Sequence, residues 1–154
     1  MARDFVDIFV TIEGSQRIDF DKKKIRKVLR KSGGIVQKEA RQIVSRRAIS
    51  SPGEYPGSDT GRLKRSIRLK VSRPGFLVSI APRMISGMQR FYPAFLHYGV
   101  KQGAARRKDH KKQNLTQWRV APRGNYMVEA LQRREIQARS ALAKGLQESL
   151  IGVK

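Results

Sequence analysis

Apolar residues at Ile25, Val28, Leu29, Ile35, Val36, Ala40, Ile43 and Val44, joined by Ser32, recur at intervals of three and four. That is the period of one helix face, and it predicts a long helix from Lys22 to about Ala48. Asp21 stands just before it, with a carboxylate able to accept the free N–H groups of a first turn. Gly33 and Gly34 fall inside the run at a cost of about 1 kcal/mol each relative to alanine. Such a pair predicts a kink or a close neighbour. A second stripe, Met127, Ala130, Leu131, Ala138, Ala141, Leu142, Gly145, Leu146 and Leu150, predicts another long helix, capped by Asn125.

Strand-like runs lie elsewhere. Phe5 to Ile12 is rich in β-branched and aromatic residues. Ile67 to Ser72 and Phe76 to Ala81 flank Pro74-Gly75, as in a hairpin. In the second of these, Phe76, Val78 and Ile80 alternate with Leu77 and Ser79, which predicts one buried face. The aromatic stretch Phe91 to Gly99 reads as core, and Trp118 to Val120 as a last short strand. Ser50 to Gly61, dense in Pro, Gly, Ser and Asp, is a loop. Lys101 to Gln113 is a second loop, basic and poor in apolar residues. Together these predict a single α+β domain over residues 1–154. Its small, mainly antiparallel β-sheet packs with a long N-terminal and a long C-terminal helix, and the flexible loops lie near 50–61 and 101–113.

Charge changes the picture most. Thirty-four Lys and Arg against twelve Asp and Glu give a net charge of +22, a field that calls for polyanionic surroundings. Lys22, Lys23, Lys24, Arg26, Lys27, Arg30 and Lys31 cover the polar face of the first helix. With Arg106, Arg107, Lys108, Lys111 and Lys112 of the second loop they are candidate polyanion contacts, the chief ones on the helix being Lys22, Lys23, Lys27 and Arg30. The bland alternative is a solvated helix face. A membrane-lying helix fits less well, because its apolar side lacks bulky aromatic anchors. No apolar run approaches the ~20 residues of a membrane span. Asp4 and Asp7 interrupt the first apolar stretch, so a soluble chain made in the cytoplasm is expected. The chain has no cysteine, which removes disulfides and thiolate metal sites.

Catalytic chemistry finds little footing. Asp59-Thr60-Gly61 spells the triplet of aspartic proteases, but it runs into Arg62, Lys64 and Arg65. Such cations favour a plain carboxylate over two carboxyls sharing a proton. The simpler reading is that Asp59 or Thr60 caps a short helical turn that presents Leu63 to the core. His97 lies among Phe95, Leu96 and Tyr98 and reads as a core or interface histidine, and His110 as solvated. No metal-ligand spacing or phosphate-binding Gly-rich loop appears. Neither enzymatic activity nor a cofactor is expected.

The order of segments is itself informative. A long helix leads into a Pro/Gly loop, then Thr60-Gly61-Arg62-Leu63 with Ser66-Ile67, then a hairpin. Tyr92, Phe95 and Tyr98-Gly99 follow at fixed spacing, then Ala121-Pro122-Arg123 and a helix carrying Glu129-Ala130-Leu131. This order resembles the neck and tail-completion (head–tail joining) proteins of long-tailed bacteriophages, over roughly Ile25 to Leu150 and most specifically over Pro56 to Ile67. The chain departs from that pattern at His97 and Val100, where an acid and a threonine are usual. It departs again at Gly124-Asn125-Tyr126, where Pro-Phe is usual, and the 101–113 loop looks like an insertion.

The resemblance implies a structural virion protein of the head–tail junction, assembled in the host cytoplasm. It would be a ring subunit that completes the tail or joins it to the DNA-filled head and lets DNA pass. Its partners would be other copies of itself, in a ring of about six or twelve, and connector, adaptor, tail-terminator or tail-tube proteins; packaged DNA would lie close by and no membrane is involved. The interface residues would be Thr60, Gly61, Arg62, Leu63, Tyr92, Phe95, His97 and Tyr98. Hairpin edges and the two loops are further candidate patches. The charge alone suggests another expectation, a nonspecific nucleic-acid-binding protein.

Overall fold

Asp21 accepts hydrogen bonds from the backbone N–H of Lys23 (2.8 Å) and Lys24 (3.1 Å) and so starts α1, Lys22–Ile43. The computed structural model describes residues 21–46, 50–101 and 118–150. The strand expected over 5–12 lies outside the described residues, as does the basic segment after Lys101 with Arg106, Arg107, Lys108, His110, Lys111 and Lys112. The helix ends short of the expected Ala48. Val44 turns into the core, fully buried, and the Ser45 hydroxyl bonds the Gln42 carbonyl at 2.6 Å. A serine that captures a backbone carbonyl in this way competes with helix continuation.

Asn125 caps the second long helix, α4 (Tyr126–Ser149), by accepting from the N–H groups of Met127 and Val128 at 3.1 and 3.2 Å. α1 and α4 lie antiparallel. The Asp21 N–H meets the Ser149 carbonyl at one end, Val28 touches Gly145, and Glu39 meets Arg134 towards the other. Glu39 is buried, and its carboxylate accepts from Arg134 Nε at 2.8 Å with Arg133 Nη1 at 3.6 Å. Ala40 and Ala130, both fully buried, belong to the shared core with Val36, Val44, Leu63, Ile67 and Tyr126.

After the loop comes α2 (Arg62–Ser66), a single helical turn that buries Leu63, as expected. Its cap differs from expectation. Gly61, at φ +70°, occupies the N-cap and no side chain caps the turn, so neither Asp59 nor Thr60 has that role. Glycine is suited to this left-handed position because it has no Cβ to clash.

Strands β1 (Ile67–Val71) and β2 (Val78–Pro82) pair antiparallel, with Ile67 opposite Pro82 and Val71 opposite Val78. The hairpin lies against α1. A Cβ on Gly33 would stand 2.8 Å from both Leu69 Cδ1 and Val78 Cγ2, so Gly33 admits the close neighbour expected of it. The connecting turn is longer than Pro74-Gly75 suggested. It closes through Ser72 N–H to the Leu77 carbonyl (2.9 Å) and Leu77 N–H to Ser72 Oγ (3.1 Å). Phe76 therefore belongs to the turn and is 69% exposed, contrary to the buried face expected for it; Val78 and Ile80 keep the alternation.

Phe91 to Gly99 corrects a second expectation. The stretch forms a helix, α3 (Tyr92–Tyr98), with Pro93 in its first turn, where a missing N–H costs nothing. A helical period splits the aromatic residues between two faces. Tyr92 and Leu96 pack against the core, while Phe91, Phe95 and Tyr98 face outward. Strands β3 (Val100–Lys101) and β4 (Trp118–Val120) form a separate two-stranded antiparallel ladder. The fold is α+β as expected, with the described antiparallel strands in two small ladders.

Candidate functional site: a groove, an aromatic face and a basic face

The loop 50–61 is held by its ends and its middle. Gly53 N–H bonds the Pro122 carbonyl (3.2 Å), Gly124 N–H bonds the Glu54 carbonyl (2.9 Å), and Ser58 N–H bonds the Arg46 carbonyl (2.9 Å). Arg123 N–H bonds the Leu96 carbonyl at 2.8 Å, which ties the same segment to α3. These bonds bring the loop, α2, α3 and residues 122–124 around one open groove of about 980 Å³. Leu63, Tyr92 and Leu96 supply its apolar lining, and Thr60, Gly61, Arg62 and Arg123 line it as well. Burial pushes the Tyr92 hydroxyl above its usual range, with the nearby Arg62 opposing the shift. Arg123 Nη1 is buried without a hydrogen-bond partner among the described residues.

Five of the eight interface residues named from the sequence, Thr60, Gly61, Arg62, Leu63 and Tyr92, therefore share this groove. Phe95, His97 and Tyr98 do not line it. Phe95 and Tyr98, with Phe91, recur at intervals of four and three along α3, 40%, 74% and 39% exposed. They form an uncovered aromatic stripe beside the groove. His97 is also exposed, its ring edge-on to Tyr98 at 4.6 Å between centroids, so of the core and interface readings of this histidine the core one falls away. Arg123 joins the groove as well, a placement that its Ala-Pro-Arg setting in the sequence does not by itself indicate.

Asp59 is exposed in the groove wall, and among the described residues no second carboxyl lines the groove with it. Among the described residues no group of three or more His, Cys, Asp or Glu could hold a metal ion. No described helix is long and apolar enough to cross a membrane.

The described cations differ in their pairing. On α4, Arg133 pairs with Glu129 (2.7 Å) and Glu39, Arg134 with Glu39, and Arg139 with Glu135 (2.7 Å). Hydrogen bonds from Arg133 and then Tyr55 hold the Glu129 carboxyl below the usual carboxylate range. On α1, Lys22, Lys23, Lys27 and Arg30 are exposed and make no ion pair with the described residues. No protein-family model, curated protein or solved structure matches the chain.

Proposed function

We propose that the chain is a structural subunit of the head–tail junction of a long-tailed bacteriophage, working in multiple copies as a ring and without catalysis. The observation that carries this reading is the convergence of the family-like segments. Thr60-Gly61-Arg62-Leu63, Tyr92 and Arg123 are far apart in sequence yet line one open groove, flanked by the bare stripe Phe91, Phe95 and Tyr98. Monomeric proteins seldom leave such aromatic surface uncovered, whereas subunit interfaces are enriched in it. A closed ring requires each subunit to offer two different patches, and the groove with α3 supplies one of them.

Sedimentation of the purified chain over a range of concentrations tests the assembly part of the proposal. The wild type is expected to reach a fixed multiple of the chain mass and stop there, and Phe95→Asp/Tyr98→Asp to sediment as a single chain with an unchanged circular dichroism spectrum. A double variant that assembles like the wild type removes α3 from the interface. A wild type that is a single chain at every concentration removes the self-assembling ring.

A further inference from the structure

The exposed face of α1 carries Lys23, Lys27, Arg30, Lys31 and Lys38, spaced by three, four and seven residues, which places them in one stripe. The stripe adjoins the hairpin: in the neighbouring row, Arg26 lies under Gly75, Gly33 touches Leu69, and Gln37 and Arg41 donate to the Ile67 carbonyl. A hollow of about 420 Å³ opens beside it, lined by Gly34, Gln37, Lys38, Arg41, Gln42 and Lys64. No acid occurs in the sequence between Asp21 and Glu39, nor between Asp59 and Asp109. Asp21 is occupied in capping the helix, and Glu39 points to Arg134 on the opposite side. Every described ion pair involves an α4 arginine, so the stripe is not neutralised by any described acid.

We propose that this face binds the phosphate backbone of duplex DNA without reading its sequence. From Lys23 to Lys38 it extends about 23 Å at 1.5 Å per residue, the axial length of about seven base pairs. Cations in this arrangement displace the condensed counterions of a duplex, and the release of those ions drives binding. Gly34 sits in the middle of the stripe, and a Cβ there would meet nothing within 4 Å. No described neighbour requires a glycine at this point, and a glycine there would permit the close approach of a ligand backbone. An anionic membrane fits less well. A helix lying on a bilayer needs its apolar face free, and here Ile25, Leu29, Val36 and Ala40 are buried within the fold.

The proposal stands on charge placement and does not depend on ring formation. The test uses a duplex of about 20 base pairs titrated with soluble chain at several salt concentrations. Lys23→Gln/Lys27→Gln/Arg30→Gln/Lys31→Gln is expected to flatten the log–log salt slope by about 3–4 and to weaken binding at least tenfold at about 0.1 M salt. Arg46→Gln/Arg90→Gln/Arg139→Gln/Lys144→Gln removes the same charge elsewhere and should stay within about twofold of wild type. Exchanging the four substituted stripe cations among lysine and arginine should preserve binding. Equal weakening in both glutamine variants would reduce the effect to net charge and overturn the assignment. Retention on phosphatidylcholine/phosphatidylserine vesicles with no duplex bound would replace it with a membrane surface.

Discussion

Val28 of α1 occupies the space that a methyl group on Gly145 of α4 would need. An ideal Cβ on Gly145 would stand 2.5 Å from Val28 Cγ2 and 2.6 Å from Cγ1, well inside the roughly 3.5–4.0 Å optimum for carbon atoms. The two long helices therefore meet through a branched side chain set into a glycine gap. The contact lies on the same antiparallel interface as the Glu39–Arg134 pair.

Gly145→Ala is expected to destabilise the chain by about 1–3 kcal/mol through overpacking, even though alanine is the better helix former by about 1 kcal/mol. Adding Val28→Ala should recover part of the loss, because it empties the space the new methyl requires. Urea unfolding of both variants measures this. A gain in stability for Gly145→Ala alone would contradict the contact.

The adjacent glycines of α1 should respond in opposite directions. Gly33→Ala meets Leu69 Cδ1 and Val78 Cγ2 at 2.8 Å; these are side-chain ends that can give a little, so a loss of about 1 kcal/mol is expected. Gly34→Ala meets nothing within 4 Å and should gain about 0.5–1 kcal/mol. Thermal or urea midpoints of the two single variants test the opposition, which fails if both shift the same way.

What could be read from the sequence follows from which signals are local. Asp21 and Asn125 were recognisable as caps because a short polar side chain before an apolar-periodic run has few other roles. The stripes of Ile25, Leu29 and Val36 and of Ala130 and Gly145 gave the two long helices, since one buried face imposes its own period. Phe76 and the stretch 91–99 misled because hydrophobicity alone does not state burial. A longer turn puts Phe76 outside the ladder, and the helical period of α3 divides Tyr92 and Leu96 from Phe95 and Tyr98. The groove depended on tertiary hydrogen bonds, such as Arg123 N–H to the Leu96 carbonyl, which no local pattern encodes. Its residues from Thr60 to Leu63 and Tyr92 were nevertheless named from the order of segments.

The buried Glu39 carboxylate predicts an asymmetry between its pair partners. Its side chain is 8% exposed, whereas those of Arg133 and Arg134 are 51% and 44% exposed. Arg134→Met leaves a buried charge with only the longer Arg133 contact and should cost about 2–3 kcal/mol. Glu39→Gln leaves guanidinium groups that can turn to water and should cost about 1 kcal/mol. Unfolding free energies in the reverse order would show that the carboxylate is less isolated from solvent than its burial indicates.

Tyr126 predicts an alkaline limit to stability. Burial, with a smaller contribution from Tyr92, pushes its hydroxyl up to about 12 from an ordinary value of 10.0. Above pH 10 the unfolded chain releases this proton while the folded chain keeps it. The stabilisation is therefore complete below about pH 10 and is lost as pH rises towards about 12, by up to roughly 3 kcal/mol. Tyr126→Phe lacks this group, so the stability difference between variant and wild type should change across that window. A constant difference would place the hydroxyl in contact with water.

The proposed role at the head–tail junction is tested most directly by electron microscopy of lysates from a long-tailed phage carrying this coding sequence, intact or interrupted. The account predicts DNA-filled heads and complete tails that remain separate, and joining restored when wild-type chain is supplied but not when Phe95→Asp/Tyr98→Asp is. Normal infectious particles formed without the chain would contradict it.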